Sequence, residues 1–474
     1  MPSFVEAVVN VPRLTGVFHY HLPPELEGKV GDGHLVVVPF GRQQVQGVVL
    51  RLVEAPSVTS TRPVSALLDP APVLTPAQIA LAEELSRRTL APLAACVTLM
   101  LPPGLAQMVD TLYSLTPAGE QADAAQADLT PAQVRLLTLL QRRGPLRGRQ
   151  IERALPRKRW QASARALQRR GWLRLRPVLP PPSVRPKMER FVTLAAPQPE
   201  KENLGRRGGA AESRRRAMLQ YMQAQHRPVP VRELYAQTDG QSADLRWLAK
   251  AGYIVVFEQQ VWRDPLAEVD FVPAEPPRLT ADQQTVWQKV RAGLQRSAQG
   301  EKVAPFLLYG VTGSGKTEIY LRAVEETLRQ GRQAIVLVPE IALTPQTVNR
   351  FVARFPGRVG LVHSRLSAGE RYDTWRRARA GELSVVVGPR SALFTPFSRL
   401  GLIVVDECHD DSYYQSESPP HYHARELAAL YARLCGAVCL MGSATPDVVS
   451  TYRAARGEWT PLKLPERILA HRSA

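Results

Sequence analysis

Cysteine is scarce in this sequence. Four of its 474 residues are cysteines, and none of them forms a C-x-x-C pair. Structural zinc sites and disulfide frameworks need more cysteines at more regular spacing. We therefore expect no zinc in this chain and a reduced, cytoplasmic protein.

Long apolar runs are missing as well. No stretch approaches the roughly 18 consecutive apolar residues of a membrane-spanning helix. The N-terminus, MPSFVEAVVNVPR, has no basic segment followed by an apolar one. We expect neither a signal peptide nor a membrane span, and hence no membrane partner.

Acidic residues are outnumbered, with 43 Asp and Glu against 61 Lys and Arg, which gives a net charge of +18. The excess is concentrated at 142–176, which holds thirteen Lys and Arg and a single acid, Glu152. Clustered positive charge indicates a polyanionic partner such as nucleic acid. At ~100–200 residues per domain, the length predicts three or four domains.

A phosphate-binding loop is the clearest motif. Residues 310–317, GVTGSGKT, match G-x-x-x-x-G-K-[ST] between an apolar strand and an amphipathic helix. Glycines let backbone N–H groups curl around a polyphosphate at a helix N-terminus. The motif predicts bound ATP, with Lys316 on the outer phosphates and Thr317 on Mg²⁺. The remaining predicted nucleotide contacts are Gly310, Thr312, Gly313, Ser314 and Gly315.

Two adjacent acids end a later apolar strand. Asp406 and Glu407 follow LIVV, where Asp406 is expected to hold Mg²⁺ and Glu407 to activate the attacking water. Apolar strands alternate with helices throughout 275–474, which predicts a parallel α/β sheet with its functional loops at the strand ends. Gln283, about thirty residues before the loop, is a candidate adenine-reading amide, although a glutamine at a helix start is common.

Residues 1–105 form a β-rich module. β-Branched and aromatic runs separated by Pro and Gly predict a small antiparallel sheet or barrel, followed by a helix at 76–88. Within it, the segment VPFGR at 38–42 ends a strand in a glycine turn beside a cation. A plain hairpin is the favoured interpretation of this segment.

Two similar helical units follow, at 126–178 and 216–262. Each reads helix, helix, helix, strand, which is typical of a winged helix and indicates an internal duplication. The third helix of the first unit is a candidate for binding duplex DNA, through Arg157, Lys158, Arg165 and Arg169. For the second, less basic unit a packing or protein-contact role is favoured. Residues 179–215 are rich in Pro, Gly and charge and predict an exposed linker.

These motifs together resemble superfamily-2 helicases, and within them the PriA family of primosomal replication-restart proteins. The resemblance covers nearly the whole chain and is carried by GVTGSGKTE, LVPEIALTPQ, GPRSALFTPF, DECHDDSYYQ, YHAREL and GSATPD. It implies a multidomain α/β protein with an N-terminal 3′-DNA-binding domain, a winged-helix region and a RecA-like P-loop helicase lobe 1. The winged helices alone would also fit a transcription regulator.

The resemblance also implies a function. The family recognises branched DNA and the 3′ end of the nascent strand at stalled forks, unwinds DNA with ATP, and assembles the primosome. Forked and single-stranded DNA, single-strand-binding protein and primosome proteins are therefore expected partners. The implied DNA contacts are Phe18, His19, Gly41 and Arg62 in a terminal-nucleotide pocket, and Tyr413, Tyr414 and Tyr422 in an aromatic-rich loop.

The sequence departs from the family pattern in three places. His19 replaces an aspartate, which puts strict 3′-OH recognition in question because a histidine can become cationic and bind phosphate instead. Cys408 replaces the third residue of a DEEH motif. The sequence also ends about thirty residues after GSATPD, without a second helicase lobe or a zinc module. We therefore expect a chain that binds ATP but hydrolyses it poorly, or a nucleotide-indifferent DNA-binding scaffold.

Overall fold

The computed structural model divides into two compact units, residues 1–184 with 265–474, and residues 185–264. No helix within the described ranges is long and apolar enough to cross a bilayer. The residues that the structure describes are 4–10, 16–41, 43–102, 105, 110–123, 128–155, 160–178, 184, 186–196, 204–205, 208–267 and 275–468.

The chain begins with a six-stranded sheet in the order β5-β2-β1-β4-β3-β6. Valines alternate into its core because successive side chains of a strand point to opposite faces. This confirms the β-rich module. The strands are β1 (Phe4–Val9), β2 (Phe18–His21), β3 (Leu35–Phe40), β4 (Gln43–Val53), β5 (Arg62–Pro63) and β6 (Ala66–Leu67).

Two helices then join this sheet to the C-terminal lobe. Helix α1 (Pro76–Thr89) starts at a capping box made by Thr75 and Gln78, and α2 (Leu93–Met100) follows. Their apolar faces share one continuous core with the lobe described below. Within that core the amide of Gln78 donates from Nε2 to the carbonyl oxygen of Phe394 at 2.9 Å.

The first helical unit contains a strand, β7, and a four-residue helix, α3, that the sequence did not reveal. Its elements are β7 (Asp110–Leu115), α3 (Pro117–Glu120), α4 (Pro131–Arg143), β8 (Leu146–Arg147), α5 (Gly148–Ala154), α6 (Trp160–Arg169) and β9 (Leu173–Val178). Strand β7 lies between β8 and β9, so the unit starts near 110 rather than 126.

The second compact unit repeats this arrangement. It contains β10 (Lys187–Leu194), α7 (Ala210–Gln225), β11 (Val229–Pro230), α8 (Val231–Thr238), α9 (Ser242–Lys250) and β12 (Ile254–Val261). Strand β10 again lies between the other two strands. The prediction that 179–215 is a linker is therefore wrong for Lys187–Leu194, because all eight of these residues pair with β12 and supply Val192 to the core.

The C-terminal lobe, residues 275–468, is a seven-stranded parallel sheet in the order β15-β16-β14-β17-β20-β13-β21. Strands such as β17 are buried along their whole length because helices cover both faces. Its first elements are α10 (Ala281–Ala298), β13 (Phe306–Gly310), α11 (Lys316–Arg329), β14 (Gln333–Leu337), α12 (Pro345–Arg354), β15 (Val359–Leu361), α13 (Ala368–Arg379) and β16 (Val385–Gly388). The remaining elements are β17 (Leu400–Val405), β18 (Tyr414–Gln415), β19 (Tyr422–His423), α14 (Ala424–Cys435), β20 (Val438–Ser443), α15 (Val448–Ala455) and β21 (Thr460–Leu464).

Candidate functional site

The phosphate loop connects β13 to α11, as the motif predicts. Gly313 and Gly315 both have φ of 84°, in the left-handed region that favours glycine. A Cβ on Gly310 would lie 2.6 Å from Ser314 Oγ, so this glycine is needed for space. Helix α11 begins directly after Gly315, which directs its positive dipole end at the loop.

Lys316 is buried at the centre of the site, with 7% of its surface exposed. Its ammonium group donates to the Gly310 carbonyl oxygen at 2.8 Å and lies 3.5 Å from Glu407 Oε1. The structure therefore brings together the lysine of the loop and the second acid of the 406–407 pair, two residues about ninety positions apart in the sequence.

The loop fits a nucleotide phosphate. Ser314 Oγ is buried and has no hydrogen-bond partner among the described residues, which leaves a polar atom for a ligand. Thr317 lies half-buried in the first turn of α11, and Thr312 and Gly313 are exposed at the tip of the loop. No cluster of three or more His, Cys, Asp or Glu that could hold a metal occurs in the described part of the chain.

Asp406 directly follows β17 and is held from several sides. Tyr320 donates its hydroxyl to Asp406 Oδ1 at 3.0 Å, and the Glu407 N–H donates to the same oxygen at 3.0 Å. Burial, reinforced by the charge of Glu407, raises the Asp406 pKa from 3.8 to about 6, although Tyr320 and Lys316 oppose the shift.

Glu407 has a backbone φ of 42°, an uncommon conformation for a residue with a side chain. Its carboxylate lies between Lys316 and the Ala444 N–H, which donates to Oε2 at 3.4 Å. His409 Nδ1 lies 3.6 Å from the same oxygen and 2.8 Å from Ser443 Oγ. The ends of β13, β17 and β20 thus place three sequence motifs in one site.

Gln283 lies against the phosphate loop, and its amide is engaged at both ends. Its Nε2 donates to the Ser314 carbonyl oxygen at 2.9 Å, and its Oε1 accepts from the Thr280 N–H at 3.0 Å as part of the α10 capping box. Adenine recognition by Gln283 stays a prediction. A cavity of about 140 Å³ lies at this position, lined by Thr280, Asp282, Ser314, Leu464 and Ile468, among others.

The aromatic-rich loop needs a correction. Tyr413 is wholly buried with its hydroxyl donating to the Asp406 carbonyl oxygen at 2.7 Å, and Tyr422 is 6% exposed and packs edge-on against Phe394. Buried rings present no face for a DNA base, so the prediction that these two stack on single strands is not met in this structure. Tyr414, 49% exposed, is free to do so.

Of the four residues predicted for the terminal-nucleotide pocket, three lie together and His19 points to the other face of the sheet. Phe18 packs edge-on against Phe40 at 5.2 Å, and Arg62 donates to the Gly41 carbonyl oxygen at 2.7 Å. His19 is the neighbour of Phe18 in β2 and therefore points to the other face of the sheet. There its Nε2 lies 3.0 Å from Ser57 Oγ, with the Glu6 carboxylate 3.7 Å away.

Helix α6, the basic helix of the first helical unit, presents Arg165 and Arg169 to solvent. Arg157 and Lys158 lie outside the described residues. In the corresponding helix α9, the buried Asp244 forms ion pairs with Arg214 and Arg215 instead. Helix α9 also presents Arg246 and Lys250 to solvent, so the two helices differ by the acid of α9 and not in whether they expose cations.

Comparison with known proteins agrees with these features. Residues 6–102 match the family model of a 3′DNA-binding domain (3′BD), and residues 280–452 match that of the DEAD/DEAH box helicases. The chain is 36% identical to the replication restart protein PriA of Bacillus subtilis over 98% of this chain and 56% of that protein. It is 33% identical to PriA of Synechocystis over 97% of this chain and 54% of the relative.

The chain is similar to PriA proteins along nearly all of its own length. It spans about half the length of the curated PriA relatives that it matches. A third relative, PriA of Haemophilus influenzae, is 52% identical over 34% of this chain and 22% of its own length. The helicase domain of Pyrococcus furiosus Hef is a structural neighbour at 20% identity, with a TM-score of 0.30, covering 40% of this chain and 38% of that one, which is too distant to support an argument.

The two family-model matches confirm the predicted fold class, a 3′-DNA-binding domain followed by a RecA-like helicase lobe. The match to a 3′DNA-binding domain supports a DNA partner, and the match to a DEAD/DEAH box helicase domain implies the use of ATP and Mg²⁺. Tyr320 is a site residue that the sequence did not single out. Tyr320 could have been found, because it follows Lys316 by one helical turn and so shares its face.

Proposed function

We propose that this chain is the fork-recognising, ATP-binding part of a replication restart motor. The observation that carries the proposal is the convergence of Lys316, Asp406, Glu407 and Ala444 at one edge of the parallel sheet, on a lobe that shares its core with a 3′-DNA-binding domain. Ligands of open parallel sheets bind at this edge.

In this proposal each residue has a distinct role. Loop N–H groups and Lys316 bind the phosphates, Thr317 and Asp406 hold Mg²⁺, and Glu407 orients and deprotonates the attacking water. Bound Mg²⁺ would neutralise charge on the transferring phosphoryl group. Ala444 and Ser443, which contact Glu407 and His409, would report the state of the nucleotide to the DNA-binding surface.

DNA recognition is proposed for three surfaces. Phe18, Gly41 and Arg62 would receive a 3′-terminal nucleotide on one face of the sheet, and His19 would contact DNA on the other face. Arg165 and Arg169 would neutralise duplex phosphates without reading bases, together with the neighbouring Arg157 and Lys158. Tyr414 would stack on a single strand. Single-strand-binding protein and primosome proteins are proposed as partners from the similarity to PriA proteins.

One experiment tests the proposal against a scaffold without a motor role. ATP turnover and fork binding are measured on the purified 474-residue chain and on Lys316→Ala, with and without a synthetic fork. The motor account predicts fork-stimulated turnover, however slow, that Lys316→Ala abolishes. Fork binding that ignores nucleotide, with no turnover in either protein, would support the scaffold and overturn the motor.

A further inference from the structure

Helix α11 brings two side chains to the acid pair. Lys316 and Tyr320 are four residues apart, so they lie one above the other on the same helix face. Lys316 reaches Glu407 and Tyr320 reaches Asp406. The first two turns of α11 therefore each supply one side chain that contacts one of the two consecutive acids.

The Tyr320 hydroxyl fixes one end of the Asp406 carboxylate. Tyr320 is 1% exposed, and its hydroxyl and the Glu407 N–H both donate to Oδ1. No described residue forms a hydrogen bond with Oδ2. A carboxylate with one oxygen held by two donors has a fixed orientation and leaves its second oxygen to another ligand.

Gly442 provides the space that this arrangement needs. A Cβ at Gly442 would lie 1.6 Å from the Tyr320 hydroxyl oxygen and 2.7 Å from its ring carbon Cζ. Gly442 lies in β20, and its φ is not in the left-handed region, so its backbone does not require glycine. The glycine of GSATPD therefore serves the tyrosine that follows the phosphate loop.

We propose that Tyr320 is a positioning residue of the Mg²⁺ site, which orients Asp406 so that Oδ2 is presented to the metal or to a water of its shell. The proposal rests on the proposed function, because it assumes that nucleotide and Mg²⁺ bind here. Tyr320 touches neither nucleotide nor metal. Gly442 admits its ring, and Asp406 transmits its effect.

The test separates metal binding from nucleotide binding. Tyr320→Phe keeps the ring and removes only the donor. Tyr431→Phe makes the same change at another wholly buried tyrosine of the lobe, whose hydroxyl neighbours Cys435 and Thr75 instead. A fluorescent ATP analogue is titrated into each full chain, first in EDTA and then at saturating nucleotide with increasing Mg²⁺, and separately with Mn²⁺.

Tyr320→Phe should leave the EDTA affinity unchanged and raise the half-saturating metal concentration about tenfold, the size expected when a partner of a metal ligand is lost. Tyr431→Phe should change neither value. An unchanged metal midpoint in Tyr320→Phe would overturn the proposal, and so would an equal loss of affinity in EDTA.

A second variant covers the case in which Tyr320→Phe fails to fold. Gly442→Ala reaches the same phenol from the neighbouring strand, and it should raise the metal midpoint in the same direction. If folded Gly442→Ala has a normal half-saturating metal concentration, then the space that Gly442 leaves for the Tyr320 ring does not serve the metal site. A wild-type chain that binds no nucleotide would instead overturn the proposed function itself, which the EDTA arm reveals separately.

Discussion

At the scale of single residues, the site holds two acidic residues in environments that cost free energy. Asp406 is an acid whose folded environment disfavours its charged form, and Glu407 occupies a strained backbone conformation beside it. Lys316 lies between them and the phosphate loop. Such costs are typical of functional sites, where stability is exchanged for chemistry.

Replacing Asp406 by Asn should stabilise the fold at neutral pH. Because the Asp406 pKa rises from 3.8 to about 6 on folding, the native state binds the proton more tightly, and stability falls as pH rises between these values. Asp406→Asn avoids this loss, which is on the order of 1–3 kcal/mol at pH 7. Thermal melts should show a gain at pH 7 that is much smaller at pH 4. An equal gain at both pH values would contradict the assignment.

Removing the charge of Glu407 should strengthen nucleotide binding. Its carboxylate lies 3.5 Å from the Lys316 ammonium and offsets part of the charge that would attract phosphate. Glu407→Gln should therefore tighten the binding of an ATP analogue about two- to fivefold, while any turnover falls by about 10²-fold. The exposed acid Glu417, changed to Gln, is the control and should alter neither. Weaker binding in Glu407→Gln would refute the electrostatic argument.

At the scale of elements, one buried amide adds hydrogen bonds to the apolar contact between α1 and the C-terminal lobe. Gln78 closes the capping box of α1 through Oε1 and donates through Nε2 to Phe394, in the segment between β16 and β17. Phe394 packs on Tyr422 of the aromatic-rich loop. The DNA-binding module is thus attached at the point where that loop returns to the core.

Gln78→Ala should cost more than the loss of an ordinary cap. It leaves the buried Phe394 carbonyl and the Thr75 N–H without partners, which together cost roughly 2–3 kcal/mol. Gln133→Ala is a matched control. Gln133 closes the same type of capping box on α4 but forms no hydrogen bond to the described residues of the C-terminal lobe. It should cost only about 0.5–1 kcal/mol. Equal shifts in melting temperature for the two variants would show that the hydrogen bond from Gln78 to Phe394 contributes nothing.

Local signals account for much of what the sequence could predict. The phosphate loop, the four β-rich runs and the capped helix starts each depend on residues close together in the chain, so their patterns were sufficient. Strands β7 and β10 were missed because each is completed by strands that come later in the sequence. The burial of Tyr413 and the engagement of Gln283 were missed for the same reason, since both depend on partners about seven to thirty residues away.

At the scale of the whole molecule, positive charge is distributed unevenly between the two helical units, although their three-stranded sheets have the same strand order. Helix α6 presents exposed arginines. In α9, the buried Asp244 forms ion pairs with Arg214 and Arg215. If the first unit carries the duplex DNA contact, then the salt dependence of fork binding should depend on α6 more than on α9.

Charge reversal tests this division. Arg165→Glu with Arg169→Glu should weaken fork binding and reduce the slope of log K against log salt by about 2, one for each lost phosphate contact. Arg246→Glu with Lys250→Glu makes the matched change on α9 and should leave the slope nearly unchanged. Equal effects of the two pairs, measured by anisotropy of labelled forks, would remove the distinction between the units.

The most direct measurement is equilibrium binding of a fluorescent ATP analogue with Mg²⁺ to the purified 474-residue chain and to Lys316→Ala. The account predicts saturable binding to the wild-type chain and an affinity lower by about 10²-fold in the variant, because Lys316→Ala removes the buried ammonium group beside the phosphate loop. Equal binding to both proteins, or none to either, would contradict the claim that this lobe is a nucleotide site.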